Sequence, residues 1–83
     1  MVGWNNISFI ERSQYRKNVF LSLEKAIRPS EIAKKLDLRL THITRALREL
    51  KSKGIVKCLN PKERIGRFYT LTKKGKEILK KIK

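Results

Sequence analysis

The sequence predicts a mainly α-helical domain with a small β-hairpin, an α+β arrangement of three core helices, the hairpin and a closing C-terminal helix. Three observations predict it. The stretch at 40–53 carries the most regular helical apolar period in the chain, the period changes to two on either side of a turn-rich loop at 60–66, and helical spacing returns at 73–82. A length of 83 residues allows one such domain, and 40% hydrophobic residues suffice to give it a core. No repeat or linker divides it, so 1–83 is read as a single domain.

The first 12 residues follow neither period cleanly and are expected to form an arm or turn, with Trp4 packing over the core or across a dimer. Ser8 with Glu11 has capping-box spacing, and Ser13 is a second start signal. One helix is expected from about 13 to 26, burying Tyr15, Val19, Phe20, Leu23, Ala26 and Ile27 and leaving Leu21 outside that face. Pro29 suits the first position of a second helix, where its missing N–H has no intrahelical partner. That helix is short, because Asp37, Leu38 and Arg39 interrupt it before the next periodic segment.

In the third helix Leu40, Ile43, Ala46, Leu47 and Leu50 share one face, and Thr41, Arg45, Arg48 and Ser52 lie opposite, flanked by His42 and Thr44. Gly54 ends it as a left-handed residue. Ile55–Leu59 and Arg67–Leu71 read as two strands, with Cys58 in the core and the Asn60–Gly66 loop between them. Thr72 caps the last helix, whose apolar stripe is Ile78, Leu79 and Ile82 and whose opposite stripe is Lys73, Lys76, Lys80 and Lys83. Gly75 within it permits close packing.

Charge points to the partner. Lys and Arg number 22 against 7 Asp and Glu, a formal net charge of +15. Residues 1–41 hold 8 basic and 4 acidic groups (+4), and residues 42–83 hold 14 and 3 (+11). Such a concentration attracts polyanions, and nucleic acid is the first to consider. A third helix with its apolar face inward and Thr and Arg outward is what a helix-turn-helix needs to enter a major groove roughly 12 Å wide. Arg45 and Arg48 are the candidates to read bases, because a guanidinium fork bonds guanine O6 and N7 together. Thr41 and Thr44, near a helix N-terminus that itself favours an anion, can meet base edges, a thymine methyl or phosphate, His42 can donate to phosphate or a base, and Ser30 at the start of the second helix is a further candidate contact. Lys62, Arg64 and Arg67 on the hairpin can reach backbone phosphates or the minor groove.

With these residues in place, the chain resembles the winged helix-turn-helix regulators, the broad MarR-like and ArsR-like group, and looks closest to small archaeal members. The resemblance is carried by Pro29-Ser30-Glu31-Ile32-Ala33-Lys34-Lys35-Leu36, by His42-Ile43-Thr44-Arg45-Ala46-Leu47 with Leu50, by Lys53-Gly54-Ile55-Val56 and by Tyr69-Thr70-Leu71-Thr72-Lys73-Lys74-Gly75. It implies a three-helix core, a recognition helix at about 40–53, a wing at about 55–71 and a C-terminal helix at about 73–82. It also implies sequence-specific binding of double-stranded DNA by a homodimer joined through its terminal helices. Arg28 and Arg39 depart from it by standing where a small capping residue is common, and Asp37 by replacing a helix-ending glycine.

Other classes are weaker. One His and one Cys exclude a zinc site, a Cys-pair redox centre and an internal disulfide, and with no thiol cluster neither metal sensing nor any cofactor is expected. No convergent set of carboxylates, His and Cys supports an enzyme. The low cysteine count points to a reducing, cytoplasmic compartment, and with no apolar run long enough for a membrane helix a soluble protein away from the membrane is expected. An RNA- or ribosome-associated protein and a protein-interaction module of a larger complex are the alternatives. The first is disfavoured because Phe68 and Tyr69 point to opposite faces of one strand and make no stacking platform. The second would use Leu21 and the N-terminal arm.

Overall fold

The computed structural model describes residues 4–82, with side chains from Asn6 onward. The packing of Trp4 and the place of Lys83 in the lysine stripe lie outside the described residues. Five helices and one hairpin follow in the order α1 (Trp4–Glu11), α2 (Gln14–Ser22), α3 (Pro29–Leu36), α4 (Leu40–Ser52), β1 (Val56–Cys58), β2 (Tyr69–Leu71) and α5 (Lys73–Ile82).

The segment expected as an arm is α1. Its irregular period reflects its neighbours: Ile10 is fully buried and Ile7 and Phe9 pack at the core edge, so tertiary contacts supply what a two-turn helix lacks alone. Ser13 separates it from α2, accepting the Arg16 N–H at 3.2 Å, while Glu11 pairs with Lys17 at 3.2 Å instead of closing a box with Ser8. Arg16 joins three helices. Its side chain is only 15% exposed; it donates to the Phe9 carbonyl, lies 3.8 Å from the Phe9 ring centroid and meets Glu49 of α4 at 3.2 Å. A cation beside the last turn of α1 also favours that helix end.

The helix expected to run to residue 26 stops at Ser22. Pro29 keeps Arg28 extended (φ −89°, ψ 150°), and Ile27 exchanges backbone hydrogen bonds with Tyr69 at 3.0 and 2.9 Å, so the chain here serves a sheet edge. Val19, Phe20 and Leu23 are buried as expected, but Ala26 is exposed and Tyr15 is 49% exposed, because the helix ends before one and the other lies off the packed face. Leu21 is exposed, as its position on the wheel predicts.

Asp37 ends α3 in the left-handed region (φ 54°), with its N–H on the Lys34 carbonyl at 3.3 Å and the Leu38 N–H on Ala33 at 3.0 Å. That paired pattern is the one a glycine normally provides. Gly54 (φ 73°) repeats it after α4, with Gly54 N–H on Lys51 at 2.9 Å and Ile55 N–H on Leu50 at 3.1 Å. Neither Arg28 nor Arg39 caps its helix through its side chain.

The strands are shorter than the period suggests. Val56 pairs with Leu71, Lys57 with Thr70 and Cys58 with Tyr69, and Leu59 N–H adds one bond to Phe68 O at 2.8 Å. Cys58 is half-buried, because it points inward only at the far end of β1 where the core runs out. Thr72 accepts the Gly75 N–H at 3.1 Å, as a cap should, and donates to the Gly54 carbonyl at 2.6 Å. A Cβ on Gly75 would lie 2.3 Å from the Ile55 carbonyl oxygen, so α5 packs against the residue leading into β1 only because that carbon is missing. Ile10, Val19, Phe20, Leu23, Ile32, Ile43, Leu50, Ile55, Leu71 and Ile78 form one core beneath all these elements.

Urea denaturation tests both backbone constraints. Gly75→Ala is expected to cost about 1–3 kcal/mol, and Asp37→Gly to gain up to about 1 kcal/mol, each as a shift in midpoint at constant m-value.

Candidate nucleic-acid interface

Because α4 turns Ile43, Ala46, Leu47 and Leu50 into the core, its other side presents Thr41, Thr44, Arg45 and Arg48 to solvent. The Thr44 hydroxyl donates to the Thr41 carbonyl at 3.1 Å, leaving its lone pairs outward. Arg45 and Arg48 take part in no ion pair among the described residues, whereas the nearby carboxylates of Glu49 and Glu31 are held by Arg16 (3.2 Å) and Arg28 (2.6 Å). Positive charge on this face is therefore not cancelled locally.

His42 is half-buried and stacks on Tyr15 of α2, with ring centroids 4.9 Å apart and planes 4° from parallel. This fixes the imidazole at the start of α4. Leu40 is 50% exposed although the wheel places it on the apolar face; it is the first residue of α4, beyond the turn that the core covers.

The hairpin loop is organised by Asn60. Its side-chain carbonyl accepts the Phe68 N–H at 2.8 Å, its amide donates to Gly66 O at 3.1 Å, and its backbone carbonyl accepts the Glu63 N–H at 3.1 Å. Arg67 Nε donates to the Glu63 carbonyl, so this guanidinium is drawn back over the loop. Lys62 and Arg64 stay exposed toward the tip.

Three grooves flank α4. A groove of about 420 Å³ joins the start of α3 (Arg28, Pro29, Ser30), the start of α4 (Leu40, Thr44) and the hairpin (Arg64, Ile65, Gly66, Arg67, Tyr69). Beside it, about 230 Å³ lies between Thr44, Leu47, Arg48 and Lys51 of α4 and Arg67 and Tyr69. On the opposite flank, about 270 Å³ is bounded by Ser13, Tyr15, Arg16, His42, Arg45, Ala46 and Glu49. The expected site residues thus divide: Ser30, Thr44, Arg64 and Arg67 meet in one groove, Arg48 adjoins it, and His42 and Arg45 face the other side. Thr41 and Lys62 line none of the three.

No family model matches the chain, and no curated protein does. Solved structures do. TubR of Bacillus thuringiensis serovar israelensis pBtoxis, solved bound to 24 bp of tubC, superposes with a TM-score of 0.80 at 13% identity over 94% of this chain and 88% of its own. A mutant of MarR from E. coli, complexed with operator DNA, gives 0.75 at 31% identity over 93% of this chain. The reduced form of MarR gives 0.75 at 31% identity over the same share. The fold is that of the MarR-like winged-helix regulators. In this MarR-like frame α3 and α4 are the helix-turn-helix and β1 with β2 is the wing. The chain spans 57% and 59% of those two MarR chains.

Sequence reading missed Arg28, Lys51, Tyr69, Ile65 and Leu40 as groove residues and Asn60 as the organiser of the MarR-like wing. Only Asn60 left a signal, as the first turn-forming residue after β1. Asn60→Ala is expected to raise amide exchange at Phe68 and along the wing by about tenfold or more, with little change in α4 amides. Hydrogen exchange read residue by residue checks this.

Proposed function

We propose that this chain is a sequence-specific, double-stranded DNA-binding transcriptional regulator and not an enzyme. The groove joining Ser30, Thr44, Arg64 and Arg67 carries the reading, because three separate elements turn hydroxyls and guanidinium groups toward one channel beside an exposed helix face. A sugar-phosphate strand is the polyanion with that shape. MarR from E. coli at 31% identity, solved with operator DNA, supports it.

In this reading α4 enters the major groove. Arg45 and Arg48 read base edges, Thr41 and Thr44 contact bases or phosphate, and His42, held by Tyr15, donates to phosphate. Ser30 meets a phosphate at the start of α3, and Lys62, Arg64 and Arg67 hold the backbone or minor groove. A homodimer forms through α1 and α5, which pack together at one end of the chain's fold. Its two recognition helices then meet half-sites about 34 Å apart. The protein works where the DNA is, in the cytoplasm; no helix among the described residues is long and apolar enough to cross a membrane.

Fluorescence anisotropy on a selected duplex, random duplex and random RNA at two salt concentrations tests the roles. Arg45→Ala is expected to cost about 1–3 kcal/mol on the selected duplex and to relax its preference, while Lys62→Ala weakens all duplexes alike and lowers the salt slope by about one. Equal, steeply salt-dependent binding of wild type to every polyanion overturns the regulator and leaves only the charge. Sedimentation as a monomer with and without DNA removes the dimer.

A further inference from the structure

Eight of the chain's nine isoleucines are buried or half-buried; Ile65 is 89% exposed. It belongs neither to the core nor to the apolar residues packed against it. It also stands in the most basic part of the wing, between Arg64 and Gly66 and two residues before Arg67, on a loop that Asn60 holds in shape. Solubility does not call for an aliphatic side chain there, and packing does not use it.

Its neighbours supply a partner. Ile65, Arg64 and Arg67 line the groove on the wing side, and Thr44 and Ser30 line it on the helix side. A sugar-phosphate strand in that groove separates the major groove, which α4 occupies, from the adjoining minor groove, which the wing tip faces. The minor-groove edge of A·T offers only acceptors, while G·C adds the guanine N2 amine. An aliphatic side chain cannot bond that amine and would strip it of water, whereas at an A·T step it meets the sugar walls and one polar group fewer on the groove floor.

We propose that Ile65 is a specificity-determining minor-groove contact that selects A·T pairs under the wing, with Arg64 and Arg67 neutralising the flanking phosphates. The inference rests on the duplex docking described above and names what the wing reads.

The test uses the full chain and a duplex selected by it from a random pool. At the wing-facing positions A·T is replaced either by G·C or by inosine·C, which changes the major-groove edge as G·C does but lacks the minor-groove amine. Wild type is expected to lose about tenfold in affinity with G·C and less than about twofold with inosine·C. Ile65→Ala should bind the selected duplex more weakly and bring the two replacements within about twofold of each other, Ile65→Val should keep the discrimination, and all three proteins should melt together because Ile65 packs on nothing. Equal losses with G·C and inosine·C overturn the proposal in favour of a major-groove contact, and so does undiminished discrimination by Ile65→Ala. If wild type selects no duplex at all, the docking itself fails and the contact falls with it; selection without discrimination under the wing removes only the role of Ile65.

Discussion

The exchange of two backbone hydrogen bonds between Ile27 and Tyr69 ties the wing to the helix-turn-helix. Each strand of the hairpin is three residues long, too short to hold an orientation by itself. Docking Tyr69 on Ile27 makes a third edge for that sheet and sets it directly before Pro29, so the start of α3 and the base of the wing are one rigid corner. From this corner follow the groove that gathers Ser30, Thr44, Arg64 and Arg67, and the early end of α2. Moving that bridge by one residue would turn Tyr69 over and separate the wing from the helices it frames.

The other side of the molecule is held differently. There α1, α2 and α4 converge on Arg16, which combines a carbonyl contact, an aromatic face and the Glu49 carboxylate. By engaging Glu49, it pairs a carboxylate carried by the same helix as Arg45 and Arg48. At the far end, α5 closes the core by approaching Ile55 across Gly75, and Lys74 donates to the Lys53 carbonyl at 3.0 Å to close the end of α4. A chain of +15 is thereby divided: carboxylates and a half-buried guanidinium hold the helices, and the remaining cations are left to the surface.

What the sequence determined by itself is local. The apolar period of α4 defines its inward face and hence the exposure of Thr41, Thr44, Arg45 and Arg48, because a regular helix leaves no freedom in which residues lie opposite. Pro29, Gly54 and Thr72 mark helix ends through backbone chemistry that acts within a few residues. Asp37 was legible only as a departure, since a residue that tolerates left-handed geometry can also sit elsewhere.

Tertiary structure decided the rest. Whether residues 4–11 are helical depends on Ile10 finding the core, and where α2 stops depends on a strand 42 positions away, Tyr69 against Ile27. Neither carries a strong local period to announce it. The same holds for the site: composition shows a basic, hydroxyl-bearing chain, but the stacking of His42 on Tyr15 and the gathering of Ser30, Thr44, Arg64 and Arg67 along one groove arise from packing between elements distant in sequence. Local chemistry acts over a helical turn, whereas a groove between three elements is defined only once the core has placed all three.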